Sequence, residues 1–231
     1  MKHTHKKLLS LFRAAIMLTI MCFGFVSCGT QETGPCVYVS IADENGNLAV
    51  RYEKVAYTEN MTVDMALSAI HEAKFKDGAS GYASYESAYG LSMSKLWGVE
   101  NGGSYGYYVN NASPSSLSAT LKEGDHVYAF IYTDTQTFSD TYAFFNANTV
   151  LLEKGESVTL TLSYSGYDEN WTPVTLPIPN ANIYINGESS QPTTNENGKV
   201  TLSFDKKGTY IVTADSSTMN LTPAFVIITV K

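Results

Sequence analysis

The sequence predicts two small domains of different class: an α+β domain with the element order ββαβββ, followed by an all-β sandwich. Three observations predict this. Apolar and polar residues alternate over many short runs, one stretch alone repeats at the helical period, and no helical period recurs after about residue 135. The length of 231 residues accommodates two domains of this size.

A leader is predicted to precede both domains, over residues 1–27. Its start is basic, and an apolar stretch at 14–26 has the length of a signal peptide core rather than of a membrane-spanning helix. The stretch ends in Ser27, Cys28 and Gly29, which resembles the lipobox of bacterial lipoproteins. This resemblance implies that Cys28 is lipidated and becomes the mature N-terminus, with 28–35 as a short tether. An ordinary secretory peptide and an uncleaved anchor are the alternatives.

Removal of the leader makes the chain strongly acidic. The leader contains four basic residues and no acidic one, so the mature chain has 11 Lys and Arg against 22 Asp and Glu. Nucleic acid is therefore excluded as an expected partner, because phosphate binding needs a basic patch. With Cys28 lipidated, Cys36 is left as a single thiol and no internal disulfide is expected.

The first domain is predicted to occupy 36–134. Two strands at 36–42 and 48–57 are joined through Asn45 and Gly46, a strong hairpin signal. Thr62 is expected to cap a helix over 63–75. The predicted stripe along that helix comprises Val63, Ala66, Leu67, Ile70 and the stem of Lys74. After a loop at 78–90, strands are predicted at 91–97, 105–110 and 126–133.

The second domain is predicted to occupy 135–231, after a linker near 134–140. Its short strands are predicted at 141–145, 157–164, 180–185, 199–204, 208–214 and 223–230. Turns rich in Gly, Asn and Pro separate these strands, which is typical of an all-β sandwich.

Three stretches of the first domain together resemble the C-terminal β-domain of the transcobalamin and intrinsic-factor family. They are MTVDMAL at 61–67, LWG at 96–98 leading to GYYVNN at 106–111, and LKEGDHVYAF at 121–130. The resemblance covers about 36–133. It implies a β-grasp-like fold and, in some members, contact with cobalamin or a related corrinoid.

Three runs of the second domain resemble bacterial immunoglobulin-like (Ig-like) surface modules. They are NIYING at 182–187, TNENGKVTLSF at 194–204 and KGTYIVTA at 207–214. This resemblance covers about 136–231, and it implies a spacer or adhesive role.

An aromatic cluster in the first domain is the predicted ligand site. Glycines interleave with these aromatics and let a ligand approach the backbone, while tyrosine hydroxyls and asparagine amides can bind polar groups on its rim. The candidate ligand-binding residues are Tyr82, Tyr85, Tyr89, Trp97, Tyr105, Tyr107, Tyr108, Asn110 and Asn111. Either this cluster binds a flat ligand such as a corrin or a sugar, or Trp97 and one set of tyrosines build the core.

No catalytic motif, phosphate loop or zinc spacing occurs in the sequence, so no enzyme activity, catalytic residue, metal site or required cofactor is expected. His71 is the one residue considered as a cobalt ligand, against the alternative of a partly exposed helix residue.

The leading functional hypothesis is a non-enzymatic bacterial lipoprotein that is anchored outside the cytoplasm through Cys28. It would capture cobalamin or another corrinoid at the cell surface and pass it to a transporter. The alternative is a surface adhesin or polysaccharide-binding protein that acts through the Ig-like module.

Overall fold

The computed structural model describes residues 34–231, and these are mostly β-structure. The leader, Cys28 and the tether up to residue 33 lie outside the described residues. We use "first half" for 36–134 and "second half" for 135–231; the boundary between them stays a prediction.

The first half contains six strands and one α-helix. Its elements are β1 (Cys36–Ala42), β2 (Leu48–Ala56), α1 (Val63–Lys74), a 3₁₀ turn (Gly78–Gly81), β3 (Ala83–Ser87), β4 (Gly90–Lys95), β5 (Tyr105–Val109) and β6 (His126–Ile131). Four strands form one sheet in the order β2-β1-β6-β5, and β3 pairs with β4. The β1–β6 pair is parallel, while β1–β2 and β5–β6 are antiparallel.

Helix α1 begins where the sequence predicts it. The Thr62 side chain accepts a hydrogen bond from the Met65 backbone N–H at 3.3 Å, which satisfies one of the free amides of the first turn. The predicted apolar residues are buried, but Lys74 is not part of the buried face. Its ammonium group lies 2.9 Å from the Glu53 carboxylate, and His71 takes the buried position instead.

The predicted loop over 78–90 is wrong in part. Residues Gly78–Gly81 form the 3₁₀ turn, and Ala83–Ser87 form β3, which pairs with β4. β3 (ASYES) has five residues, none of them fully buried, and its two apolar positions are too few to set a strand period apart from a loop.

The second half is a β-sandwich. Its strands are β7 (Ala143–Phe145), β8 (Thr149–Leu152), β9 (Ser157–Tyr167), β10 (Pro173–Pro177), β11 (Asn182–Ile185), β12 (Glu188–Thr193), β13 (Lys199–Ser203), β14 (Gly208–Asp215) and β15 (Phe225–Val230). One sheet has the order β10-β9-β13 with β7 also on β9, and the other has the order β12-β11-β14-β15-β8. A single apolar core lies between the sheets, as in an Ig-like sandwich.

Strands β8, β10 and β12 were not predicted. β12 (ESSQPT) is polar, and β10 (PVTLP) begins and ends with proline, so neither has the composition of a typical strand. The other six strands lie within a few residues of their predicted positions.

A third apolar cluster joins the two halves, and we call it the aromatic junction. It contains Ala42, Tyr128, Phe130, Tyr142 and Phe225, with Tyr108 packed against it. The first sheet is therefore covered on one face by α1 and on the other by the second half. The described residues form one compact unit.

Candidate functional site

Four of the predicted ligand-binding aromatics pack against the core of the first half. Tyr82, Trp97, Tyr105 and Tyr107 are all partly buried there. The Tyr82 hydroxyl donates to Asp64 at 2.8 Å, and burial is the main cause that raises its pKa. The Tyr105 hydroxyl lies 2.9 Å from the Ser94 carbonyl and 2.8 Å from the Val99 carbonyl, and these two acceptors share its single hydrogen. These contacts give the four rings a structural role.

The geometry of His71 leaves no lone pair for a metal. The side chain is fully buried, its Nδ1 lies 2.6 Å from the Leu67 carbonyl, and its Nε2 accepts the Trp97 backbone N–H at 3.1 Å. Burial lowers the pKa of His71, in agreement with a neutral ring. The expectation of a partly exposed helix residue is wrong, and the cobalt-ligand hypothesis loses its geometric basis.

Tyr108 and Asn111 belong to the contact between the halves. The Tyr108 ring is stacked on Tyr142, with centroids 3.7 Å apart, and burial raises the pKa of Tyr108 to about 12. The Asn111 side-chain oxygen accepts the Tyr142 hydroxyl at 2.9 Å, and its carbonyl accepts from Ser165 at 3.1 Å. The second half thus covers the Tyr108 ring face and the Asn111 atoms that make these contacts, and the two residues also border an open groove that is described below.

Asn110 stabilises the turn that follows β5. Its amide donates to Asp125 at 2.8 Å, and its side-chain oxygen accepts the His126 backbone N–H at 2.9 Å. The backbone of Asn110 has φ +49°, a conformation that asparagine tolerates better than most residues. These bonds close the connection between β5 and β6.

Two of the predicted ligand-binding residues remain as exposed aromatics. Tyr85 on β3 is 51% exposed, and Tyr89, in the turn between β3 and β4, is 92% exposed. The structure therefore does not bring the nine predicted residues together into one site.

Sequence reasoning missed a buried pair formed by Ser40 and His126. The Ser40 hydroxyl lies 2.8 Å from His126 Nε2 and accepts the Tyr52 backbone N–H at 3.0 Å. Ser40 is fully buried and His126 is 5% exposed, so this pair offers no access to a substrate. Burial lowers the pKa of His126 to about 4.

The most exposed aromatic pair outside the β3–β4 hairpin lies at the tip of the β9–β10 hairpin. Trp171 is 81% exposed and Tyr167 is 59% exposed, with ring centroids 6.1 Å apart and planes at 48°. Exposed apolar patches with polar residues around them often mark a site of interaction. We call these two rings the hairpin-tip pair.

Asp168 holds the turn that carries Trp171. Its carboxylate accepts the backbone N–H groups of Asn170 and Thr172, both at 2.8 Å. The hydrogen bond from Thr172 is the main cause that lowers the pKa of Asp168. The turn is thus internally bonded, although Trp171 itself has φ +60°.

A groove of about 350 Å³ extends from Tyr167 toward the first half. Its lining is uncharged and mixes apolar with hydroxyl and amide groups: Tyr108, Asn111, Ala112, Ser113, Ser165, Gly166, Tyr167, Pro173, Val174 and Thr175. A ligand in this groove would meet hydrogen-bonding groups beside the exposed rings. Two of the nine predicted ligand-binding residues, Tyr108 and Asn111, belong to this lining, whereas the sequence analysis did not identify Tyr167 or Trp171.

Within residues 34–231, no group of three or more His, Cys, Asp or Glu side chains is arranged to hold a metal ion. In the same part of the chain, no helix has the length and apolar character needed to cross a membrane.

No protein-family model matches the chain. No curated protein matches it either. Among solved structures, the chain is similar to Ig domains of the cell-adhesion molecule Dscam. A structure described as the basis of Dscam isoform specificity aligns with 48% of this chain and 26% of its own, at 13% identity and a TM-score of 0.27.

Two four-domain Dscam1 structures align over more of the chain. Isoform 4.44 covers 87% of this chain and 45% of its own, at 10% identity and a TM-score of 0.27. Isoform 8.4 covers 90% of this chain and 46% of its own, at 11% identity and the same TM-score. The matched segment is thus less than half of each of these proteins. At such TM-scores the likeness carries no argument about function.

Proposed function

We propose that this chain is a non-enzymatic surface protein that binds a neutral polysaccharide through its second half. The observation that carries the proposal is the hairpin-tip pair beside an uncharged, hydroxyl-lined groove. Exposed aromatic faces stack on the C–H faces of sugar rings, while amide and hydroxyl groups bind sugar hydroxyls.

The charges around the tip favour a neutral sugar polymer over a membrane surface. Asp168 and Glu169 lie between the two exposed rings, and residues 157–177 contain no Lys or Arg. An anionic lipid surface attracts basic segments and repels acidic ones. A neutral polysaccharide has no such conflict.

The test is affinity electrophoresis of the full chain in gels that contain neutral polysaccharides, namely xyloglucan, galactomannan, hydroxyethyl cellulose and laminarin. We expect at least one polymer to retard the chain and Trp171→Ala to abolish most of that retardation. Truncation of a central aromatic contact costs about 2 kcal/mol or more, which is roughly a thirtyfold loss of affinity.

Tyr89→Ala is the matched control, because Tyr89 is even more exposed but lies in the first half. This variant should be retarded like the unchanged chain. Absence of retardation by all four polymers, or equal retardation of Trp171→Ala, would contradict the proposal. Binding to phosphatidylglycerol vesicles that Trp171→Ala removes would indicate a membrane partner instead.

The corrinoid hypothesis is the second candidate, and the exposed Tyr85 and Tyr89 are the residues that favour it. Titration calorimetry of the full chain with cyanocobalamin and cobinamide tests it. Heat that Tyr89→Ala removes and Trp171→Ala preserves would support this candidate; no heat at high micromolar ligand would eliminate it.

The proposed setting is the outside of a bacterial membrane, with the chain anchored through lipidated Cys28. The lipobox-like sequence at 27–29 supports this, and membrane fractionation with mass analysis of the N-terminal peptide tests it.

We also infer that the first half is β-grasp-like. Its parallel strands β1 and β6 are central in a mixed sheet, and α1 covers one face of that sheet.

A further inference from the structure

A second cleft, separate from the groove at the hairpin tip, lies between the two halves. Its volume is about 620 Å³, which is within the range of small-molecule sites. The β1–β2 hairpin contributes Asn47 and Arg51, and the second half contributes Tyr184, Asn186, Asp215 and Leu221. The two sites lie toward opposite edges of the first sheet, since Arg51 is on edge strand β2 and Tyr108 is on edge strand β5.

The cleft continues the contact between the halves. Along β14 the side chains of Val212 and Ala214 enter the sandwich core, so Thr213 and Asp215 face outward. On neighbouring β15, Phe225 also faces outward and is buried as part of the aromatic junction. The first half thus covers one part of this outer sheet face and leaves the part near β11 as an open cleft.

One wall of the cleft carries a positive charge. Arg51 is exposed and takes part in none of the salt bridges found among residues 34–231. A guanidinium group presents a planar fork of donors that matches a carboxylate. The Arg51 wall is therefore suited to an anionic group of modest size.

The opposite wall carries an anchored carboxylate. Asp215 accepts hydrogen bonds from the Asn182 amide at 2.9 Å and from the Tyr184 hydroxyl at 3.0 Å. These bonds fix its orientation and leave further lone pairs on its oxygens, which accept hydroxyl donors. The Asp215 carboxylate would repel a ligand that carries negative charge on this side as well.

We propose that the cleft binds an acidic sugar, with its carboxylate at Arg51 and its hydroxyls at Asp215. Asn47 and Asn186 supply amides for further hydroxyls, and Leu221 supplies an apolar surface for the C–H face of the ring. This site does not depend on the proposed polysaccharide site, because the two share no lining residue.

The test is saturation-transfer NMR of the full chain with sodium glucuronate, sodium galacturonate and glucose, followed by titration of any ligand that binds. We expect a uronate to bind and glucose to bind much more weakly. Arg51→Gln should weaken uronate binding about tenfold or more, since it removes a charge-assisted pair.

Lys54→Gln is the matched control, because it removes one positive charge from the same strand outside the cleft. It should leave uronate binding within about twofold of the unchanged chain. Unchanged thermal melting of Arg51→Gln shows that the variant is folded. No uronate binding, equal loss in both variants, or preferential binding of a zwitterionic dipeptide such as glycylglycine would overturn the proposal. Loss of uronate binding in Trp171→Ala would overturn the independence of the two sites.

Discussion

The two histidines of the described chain are both buried in the neutral state. His71 uses both ring nitrogens for backbone bonds, and His126 bonds with Ser40 beside the aromatic junction. Each stabilises the fold only while its ring is uncharged, because burial disfavours the charged form. Protonation therefore couples to unfolding at these positions.

We expect His126 to make the chain less stable in mild acid. Between about pH 6.5 and its folded-state pKa of about 4, the unfolded chain binds a proton that the folded chain excludes. The unfolding free energy therefore falls as the pH falls, by roughly 3 kcal/mol over this window. Urea unfolding at pH 7, 5.5 and 4.5 measures the slope.

His126→Gln removes the titrating group and retains an amide for Ser40. The variant should lose less stability than the unchanged chain between pH 7 and 4.5, even though carboxylates add their own pH dependence to both. Parallel slopes for the two chains would contradict the assigned role of His126.

Residue-scale roles were only partly predictable from the sequence. The sequence offered His71 as a partly exposed helix residue or a cobalt ligand, whereas its bond to the Trp97 amide joins residues that are 26 positions apart. The contact of Asn111 with Tyr142 joins residues that are 31 positions apart. Such partners depend on tertiary packing, which no local pattern reports.

At the scale of elements, the alternation of apolar and polar residues predicted most of the strands. Alternation along β5 puts Tyr105 and Tyr107 on one face and Tyr108 on the other. The structure packs the first two against the helix-side core and the third against the aromatic junction. What alternation did not predict was the second half as the cover of the Tyr108 face. The strands it missed, such as β12, are polar and exposed.

Strand β5 depends on a glycine that faces the junction. A Cβ added to Gly106 would lie 2.1 Å from the Phe130 ring on the paired strand β6. Phe130 is only 2% exposed, so the ring has no free space into which to move. The residue at 106 must therefore lack a side chain for the junction to pack.

Gly106→Ala should lower the unfolding free energy by about 1–3 kcal/mol, the usual cost of overpacking a core. Chemical denaturation measures the change. Gly102→Ala is a poor control because Gly102 has φ +83°, which strains any residue with a side chain. Gly34→Ala is the better control, because a Cβ at Gly34 would contact no neighbour and its φ is not positive. Gly34→Ala should be nearly neutral, and equal effects of the two substitutions would contradict the packing argument.

At the scale of the whole molecule, the aromatic junction couples the two halves. Tyr142 is 3% exposed, stacks on Tyr108 and donates its hydroxyl to Asn111, and the Tyr128 hydroxyl donates to the Pro223 carbonyl at 2.8 Å. The interface between the halves thus combines buried apolar side chains with polar groups that have hydrogen-bond partners. The described chain should therefore unfold as a single cooperative unit.

Calorimetry should show one transition for the unchanged chain and two for Tyr142→Ala. Loss of a buried aromatic side chain costs about 3–5 kcal/mol, and here the loss falls on the contact between the halves. Tyr210→Ala is the control, since Tyr210 packs on Phe204 within the second half. It should lower the midpoint without splitting the transition; splitting in both variants would contradict the coupling.

The parallel pairing of β1 with β6 has a mechanical consequence. When the chain is held before Cys36 and pulled from beyond Ile131, the force acts along β1 and β6 in opposite directions. The hydrogen bonds between them are then loaded together in shear rather than opened one at a time. The β8–β15 pair, also parallel, has the same geometry for a load carried between its first strand and the end of the chain. Both halves are thus built to bear tension along the chain without unzipping.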